Sequence, residues 1–185
     1  MARSRHARMS IERNKLTVRA LVAATQCRGN LAAIDAYLAA EFVDHNPMSG
    51  LPANRDGVRM LFSALWAAFP DLQATIHDQV AEGDKVVTRK TLSGTHDGPF
   101  MGLRPTGNRV SFEVIDILRL AEGKVLERWC VVDQLALLRA IRAPSSSGAR
   151  SLLRRDRPRR RFARHAVGSP WRGAATPACR SSATS

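Results

Sequence analysis

Asp116 is a carboxylate at a position where the surrounding sequence favours an apolar side chain. In the run from Val110 to Leu120, alternate residues share one face of an extended strand, and that face reads Val, Phe, Val, Asp, Leu, Leu. An unpaired carboxylate among buried apolar groups is costly, so this one must be paired, protonated or open to a cavity. The pattern therefore makes Asp116 a candidate acid or base.

A second acid ends the next predicted strand. The alternating positions of that strand predict one face made of Val125, Glu127, Trp129, Val131 and Asp133. Two acids on the apolar faces of adjacent strands indicate a pocket with proton-transfer chemistry. Two structural alternatives stay open: Asp116 could pair with an arginine inside the sheet, and Asp133 could cap a helix that begins at Gln134.

Two histidines have a predicted place near such a pocket. His45 stands between Asp44 and Asn46, where a helix gives way to a loop, and it could polarise a carbonyl or be satisfied by local backbone. His96 opens the long loop 97–108 and is predicted at the mouth of the pocket. Because the two histidines show no metal-ligand spacing, the sequence predicts no metal site.

The predicted pocket would also have aromatic walls. Phe112 and Trp129 are expected on the same faces as the acids, although Phe112 also suits ordinary core packing. A carboxylate whose pKa is raised in such an apolar cavity could take a proton from carbon next to a carbonyl group. The same carboxylate could then return the proton to a new alkoxide.

The elements that would position these residues follow from the periodicity of the chain. The predicted helices span about residues 11–27, 31–40 and 54–69, each with an apolar stripe. From Leu72 the period changes to two, and the predicted strands span about residues 72–80, 83–95, 109–121 and 124–133. A short helix over about 134–142 follows. Helices followed by an antiparallel sheet indicate an α+β fold, and a bent sheet folded over a helix makes a cone with an open end for a small molecule.

The formal net charge of +13 comes from the two ends of the chain. Arginines crowd residues 1–8 and the run from Arg154 to Arg161, whereas residues 9–142 are close to neutral. We therefore expect a disordered extension over 1–8, with Met9 as an alternative start, one folded domain over 9–142, and a basic disordered tail over 143–185. The total charge gives no case for a nucleic-acid-binding fold, and we favour a solvated tail over one that contacts nucleic acid.

The spacing of the cysteines and the absence of long apolar runs in the sequence indicate the cellular compartment. Cys27, Cys130 and Cys179 are scattered without Cys-x-x-Cys spacing, which argues against a disulfide framework or a zinc site. No apolar run approaches the ~20 residues of a membrane span, and no apolar segment of a secretory signal follows the first basic residues. We expect a cytoplasmic protein with no membrane contact.

An ordered series of short motifs runs through residues 10–142. The series comprises Glu41-Phe-Val-Asp-His-Asn-Pro47, Ala68-Phe-Pro-Asp71, Ala81-Glu-Gly-Asp84, Gly94-Thr-His96, Phe100-Met-Gly102, Pro105-Thr-Gly107, Ile115-Asp-Ile-Leu-Arg119, Glu122-Gly-Lys124 and the run from Trp129 to Asp133. In this order the motifs resemble the SnoaL-like polyketide cyclase family of the nuclear transport factor 2-like superfamily. The resemblance implies a cone in which N-terminal helices pack on a curved antiparallel sheet.

The resemblance also implies a homodimeric enzyme without cofactor or metal, which closes a ring by intramolecular aldol condensation of a polyketide ester. In the family an aspartate is the general acid/base, and His, Asn and Gln side chains hold the enolate. On this chain the aspartate falls on Asp133, with Asp116 as the alternative, and the polar residue on His45 or Asn46. Leu118 stands where many relatives carry a histidine, and this departure bears on the chemistry but not on the fold.

The sequence thus predicts a small enzyme that acts on an apolar carbonyl or polyketide-like ligand. The predicted acid/base residues are Asp133, Asp116 and His45. The predicted ligand contacts are Asn46, His96, Trp129, Phe112, Phe100 and Leu118. The alternative is a non-catalytic protein of the same fold that binds a hydrophobic ligand.

Overall fold

The computed structural model describes residues 2–144, with side chains from Ser10 onward. The predicted basic tail lies outside the described residues, apart from its first two positions. The helices are α1 (Ala2–Val22), α2 (Ala33–Tyr37), α3 (Arg55–Ala68) and α4 (Gln134–Arg142). The strands are β1 (Leu38–Asp44), β2 (Gln73–Glu82), β3 (Lys85–Thr95), β4 (Arg109–Ala121) and β5 (Lys124–Val132).

The five strands form one sheet in the order β1-β5-β4-β3-β2. Strands β2 to β5 pair as antiparallel neighbours, and β1 runs parallel to β5 at the edge. In β4 every second residue from Val110 to Leu120 is buried, because that face packs against the helices while the other face lies outside. The predicted α+β architecture, with helices packed on a curved sheet, is confirmed.

The helix α3 shows how local sequence sets the frame of the cavity. Asn54 caps its first turn, because Asn54 Oδ1 accepts from the backbone N–H of Asp56 at 3.0 Å and of Gly57 at 3.2 Å. The apolar stripe that includes Phe62 and Leu65 is buried against the sheet. The helix ends just before Pro70, which cannot continue the hydrogen-bond ladder.

The edge strand β1 was not predicted from the sequence. We expected helix from Leu31 to Ala40, but α2 covers only Ala33–Tyr37 and the chain is extended from Leu38. The alanines of this segment favour a helix, yet pairing with β5 and burial of Phe42 outweigh that preference. A strand whose partner lies more than 80 residues away along the chain, such as Leu38 opposite Val125, leaves little local signal.

The first helix also differs from the prediction at both ends. Helix α1 begins at Ala2, so residues 2–8, which we expected to be a disordered extension, are helical. Alanine and arginine, which make up most of this stretch, are good helix formers, and the stretch adjoins a helix that is already formed. At its other end α1 continues into a π-helical turn, Ala23–Cys27, before the chain leaves the helix. Over residues 2–144, no helix has both the length and the apolar character needed to cross a membrane.

Candidate active site

A cavity of about 360 Å³ opens between the inner face of the sheet and the helices. Its size falls within the range of roughly 300–1,000 Å³ that small-molecule sites occupy. Its apolar lining includes Leu61, Leu65, Leu92, Phe100, Phe112, Val114 and Leu137. Its polar lining includes Gln26, Asn46, Lys90 and Arg128. The arrangement is an apolar chamber with a few polar groups, two of them cations.

Asp116 belongs to a network of four largely buried charges. Its Oδ2 accepts a hydrogen bond from the Lys90 ammonium, and its Oδ1 lies 3.1 Å from Arg128 Nε. Arg128 Nη1 in turn lies 2.9 Å from Asp44 Oδ2. Only 2% of the Lys90 side chain and 6% of the Asp116 side chain are exposed. Two acids and two bases balance, and buried charges are tolerated only when they are paired in this way.

Three adjacent strands bring these side chains together. Lys90 of β3 lies opposite Val114 of β4, two residues before Asp116 on the same face. Asp116 lies opposite Cys130 of β5, two residues after Arg128. The cations therefore flank Asp116 diagonally from its two neighbouring strands, within reach of long side chains.

The charges of this network determine the protonation state of Asp116. Burial would raise the pKa of its carboxyl group, but the positive charges of Lys90 and Arg128 outweigh burial and hold the pKa well below its usual range. The expectation of a carboxylate with a raised pKa is therefore wrong for Asp116, which is ionised at all ordinary pH values. Burial, followed by the Asp116 charge, raises the pKa of the Cys130 thiol to about 12, so this thiol is neutral.

A smaller inner cavity of about 30 Å³ adjoins the main one. Asp116 and Leu118 line the inner cavity and not the main one, whereas Lys90 and Arg128 line both. A ligand in the main cavity would therefore meet the two cations, with the carboxylate behind them. The inner volume suffices for about one water molecule.

Several of the predicted site residues line one of the two cavities. Asn46, Phe100 and Phe112 line the main cavity, and Asp116 and Leu118 line the inner one. Asn46 Oδ1 accepts a hydrogen bond from the Cys130 backbone N–H at 3.1 Å, which fixes the amide group at the cavity edge. These side chains form one connected region with Lys90 and Arg128.

Asp133 and His45 lie away from this region. Asp133 is exposed, and its Oδ1 accepts from the Ala136 N–H at 2.8 Å as the N-cap of α4. His45 stacks on Trp129 with ring centroids 4.4 Å apart, and its Nε2 lies 3.0 Å from Glu127 Oε2. Asp133 therefore caps a helix, which is the structural alternative that the sequence left open. Neither Asp133 nor His45 lines the main or the inner cavity.

A β-bulge in β5 explains why the predicted face was wrong. The pairing of β5 with β4 slips by one residue at Leu126, and one extra residue exchanges the two faces for the rest of a strand. Val125 is therefore buried on the inner face, whereas Trp129 lies on the outer face and cannot form a wall of the cavity. Arg128 and Cys130 take the inner positions instead.

His96 does not stand at the mouth, as we expected. It is fully buried, and its Nδ1 lies 3.1 Å from Thr106 Oγ1. The centroid of its ring lies 5.6 Å from the ring centroid of Phe69. Its backbone N–H donates to Asn108 O, so His96 closes the base of the long loop. The residue helps to hold the loop and does not line the main cavity.

Three polar residues of the cavity lining, Lys90, Arg128 and Gln26, were not among the predicted site residues. Lys90 carries the same signal as Asp116, since it interrupts the alternating buried face of β3 between Val86 and Leu92, and it could have been found. Arg128 was hidden by the bulge, and Gln26 by the π-helical turn. Within residues 10–144, no group of three or more His, Cys, Asp or Glu side chains has an arrangement that could hold a metal ion.

The curved sheet and the helices packed on it define a nuclear transport factor 2-like protein, and the fold encloses a cavity of small-molecule size. The chain matches the family model of the SnoaL-like polyketide cyclases over residues 15–141, and it belongs to this family. The predicted family is thereby confirmed.

Solved structures agree with this assignment. TsrD from Streptomyces laurentii is 30% identical, with a TM-score of 0.65 over 72% of this chain and 97% of that one. AclR from Streptomyces galilaeus, described as a candidate hydroxylase, is 34% identical, with a TM-score of 0.62 over 69% of this chain and 94% of that one. A candidate SnoaL-like polyketide cyclase from Jannaschia sp. CCS1 is 28% identical, with a TM-score of 0.63 over 72% of this chain and 94% of that one. No curated protein matches the chain.

Proposed function

We propose that the protein is an enzyme of polyketide cyclase type, which closes a ring in an apolar carbonyl compound by intramolecular aldol condensation. The observation that carries the proposal is the mostly apolar cavity of about 360 Å³ with Lys90 and Arg128 on its lining. Family membership supports the reaction class.

The two cations suit the charge that develops in such a reaction. Removal of a proton from carbon next to a carbonyl group places negative charge on the enolate oxygen. Lys90 and Arg128 are held by Asp116 and Asp44, so they can stabilise that oxygen without rearranging. The apolar surroundings strengthen the interaction relative to water.

Asp116 is the acid/base group of this proposal. Its low pKa makes it a weak base by itself, but the cations that lower its pKa also lower the pKa of the C–H group whose enolate they stabilise. The proton transfer depends on the difference between the two pKa values. We propose that the proton passes through the inner cavity by way of one water molecule, because Asp116 lines only that cavity.

A second candidate function is the binding of a hydrophobic ligand without turnover. One observation favours it: Asp116, the only carboxylate among the described residues that line either cavity, has a lowered pKa and lies behind two cations. This candidate predicts saturable binding of apolar ketones and no product.

The test uses a synthetic diketone that can close by intramolecular aldol reaction. Ring closure conserves mass until water is lost, so the product is followed by chromatography and NMR. We expect turnover by the wild type, a loss of at least about a hundredfold in Asp116→Asn, as for removal of a general acid/base group, and a comparable loss in Lys90→Met. Circular dichroism confirms that each variant is folded.

Asp133→Asn is the matched control, because asparagine also caps helices well and Asp133 lines neither cavity. This variant should keep full turnover. Binding of the diketone without product in the wild type would favour the second candidate. Full turnover in Asp116→Asn, or its loss in Asp133→Asn alone, would remove Asp116 from the mechanism.

We propose further that two copies of the chain pair through the outer face of the sheet. This face exposes Val80, Ile115 and Val131, the last with 71% of its surface accessible, and exposed apolar patches mark association surfaces. Val131→Glu should convert a dimer to a monomer in sedimentation, whereas Leu16→Glu, at an exposed position of α1, should not. A monomeric wild type would contradict the pairing.

A further inference from the structure

Gln26 presents an unpaired oxygen at the junction of the two cavities, and the proposed mechanism does not use it. Only 6% of the residue is exposed, and it lines both cavities. Within the described part of the chain, Gln26 Oε1 has no hydrogen-bond donor. A buried amide oxygen without a donor is costly, so this position needs an explanation.

The local backbone holds Gln26 in this place. Gln26 lies in the π-helical turn Ala23–Cys27, and such turns inside helices occur frequently at functional sites. The preceding residue is fixed on both sides: Thr25 Oγ1 donates to Leu21 O at 2.8 Å, and Trp66 Nε1 donates to Thr25 O at 2.8 Å. The amide group is therefore carried by a segment that other side chains restrain.

The lining around Gln26 defines the chemistry of a matching group. An amide oxygen can only accept a hydrogen bond, whereas Lys90 and Arg128 can only donate. A ligand that satisfies all three needs a hydrogen-bond donor as well as a carbonyl acceptor. A cationic amine is unsuitable, because the two cations on the same lining would repel it. A neutral donor such as a hydroxyl group fits.

We propose that Gln26 is a specificity-determining residue, which accepts a hydrogen bond from a hydroxyl group of the ligand. The site then takes ketones that also carry a phenolic or enolic hydroxyl, in preference to ketones that lack one. This inference rests on the proposed function, because it assumes that the ligand carbonyl faces Lys90 and Arg128.

The test measures binding of matched small ketones to the full chain by titration calorimetry near pH 7. The probes are the isomeric phenolic hydroxytetralones, which are bicyclic aryl ketones, each paired with its methyl ether, and the unsubstituted tetralone. The isomers sample different separations of hydroxyl and carbonyl. We expect the wild type to bind at least one hydroxytetralone about tenfold more tightly than its methyl ether, which corresponds to about 1.4 kcal/mol.

Two variants separate the hydrogen bond from the size of the methyl group. Gln26→Met keeps a side chain of similar length without an acceptor, and the preference should fall by about tenfold. Gln26→Glu keeps an acceptor oxygen, and the preference for the hydroxyl group should remain. Thermal melting shows whether each variant is folded.

The outcomes distinguish this inference from the proposed function. The role of Gln26 would be overturned if the wild type binds unsubstituted tetralone but binds every hydroxytetralone no more tightly than its methyl ether. It would also be overturned if Gln26→Met keeps the wild-type preference for the hydroxyl group. Either result would leave the proposed function standing. If the wild type binds neither tetralone nor any derivative, both proposals fail. Equal wild-type affinities for every hydroxytetralone and its methyl ether exclude the proposed role of Gln26 whether or not the variants fold.

Discussion

Replacing Asp116 by asparagine should destabilise the fold strongly, because it leaves a buried charge without a partner. The network holds Lys90, Arg128, Asp116 and Asp44 in balance. Asp116→Asn removes one negative charge and leaves two cations with a single acid. Breaking a buried ion pair by removing one partner costs about 3–5 kcal/mol, which is a large share of the roughly 5–15 kcal/mol that stabilises a typical domain.

The measurement is urea denaturation of the wild type, Asp116→Asn, Lys90→Met and the double variant. Each single variant should lose about 3 kcal/mol or more of unfolding free energy. The double variant leaves Arg128 paired with Asp44, so it should lose clearly less than the sum of the two. The matched control is Asp78→Asn, because Asp78 pairs with Arg89 at 2.7 Å but has 55% of its side chain exposed. That variant should lose less than about 1 kcal/mol.

Two results would refute this reasoning. The first is a loss in Asp116→Asn no larger than the loss in Asp78→Asn, which would mean that the Asp116 site is as solvated as the surface. The second is additive losses in the double variant, which would mean that Lys90 and Asp116 do not interact.

Two further predictions concern the stability of the protein at acidic pH and the binding of a ligand in the main cavity. The pKa of Asp116 is lower in the folded chain than the ~3.9 of an unfolded aspartate, so its contribution to stability is complete above about pH 5 and is lost as the pH falls. Urea denaturation should therefore show a smaller loss of stability on acidification in the Lys90→Met/Asp116→Asn double variant than in the wild type, and equal losses would count against the lowered pKa. Ser49→Trp, at an exposed position on the cavity lining, should weaken tetralone binding by at least about tenfold, or about 1.4 kcal/mol, in calorimetry. Ser63→Trp, exposed on α3 away from that lining, should not, and equal affinities would place the ligand elsewhere.

The parts of the fold with a strong local pattern were predictable from sequence. Helix α3 has an N-cap at Asn54, a continuous apolar stripe and a proline just after its end. Strands β3 and β4 alternate over more than ten residues each. Strand β1 was missed because its conformation depends on pairing with β5, which lies far away in the sequence. Local propensity cannot show a partner of that kind.

The candidate site was predictable only where the strand register was regular. Asp116 and Phe112 lie on β4, whose alternation is unbroken, and both line a cavity as expected. Trp129 and Arg128 exchanged faces because β5 contains a bulge, and a one-residue slip leaves no clear mark in the sequence. The expectation of a raised pKa for Asp116 was wrong for a related reason. The sequence places an acid on an apolar face, but it does not show that cations from both neighbouring strands reach it.

The most direct test of the charged cavity lining is the infrared carbonyl stretch of a ¹³C-labelled tetralone bound to the wild type and to Lys90→Met. Hydrogen bonding to Lys90 and Arg128 polarises a ligand carbonyl, so the stretch should lie at lower wavenumber in the wild-type complex than in an apolar solvent. It should move back towards the solvent value in Lys90→Met. A wild-type stretch at the apolar-solvent value, or one that Lys90→Met leaves unchanged, would contradict the assignment of these cations to the ligand carbonyl.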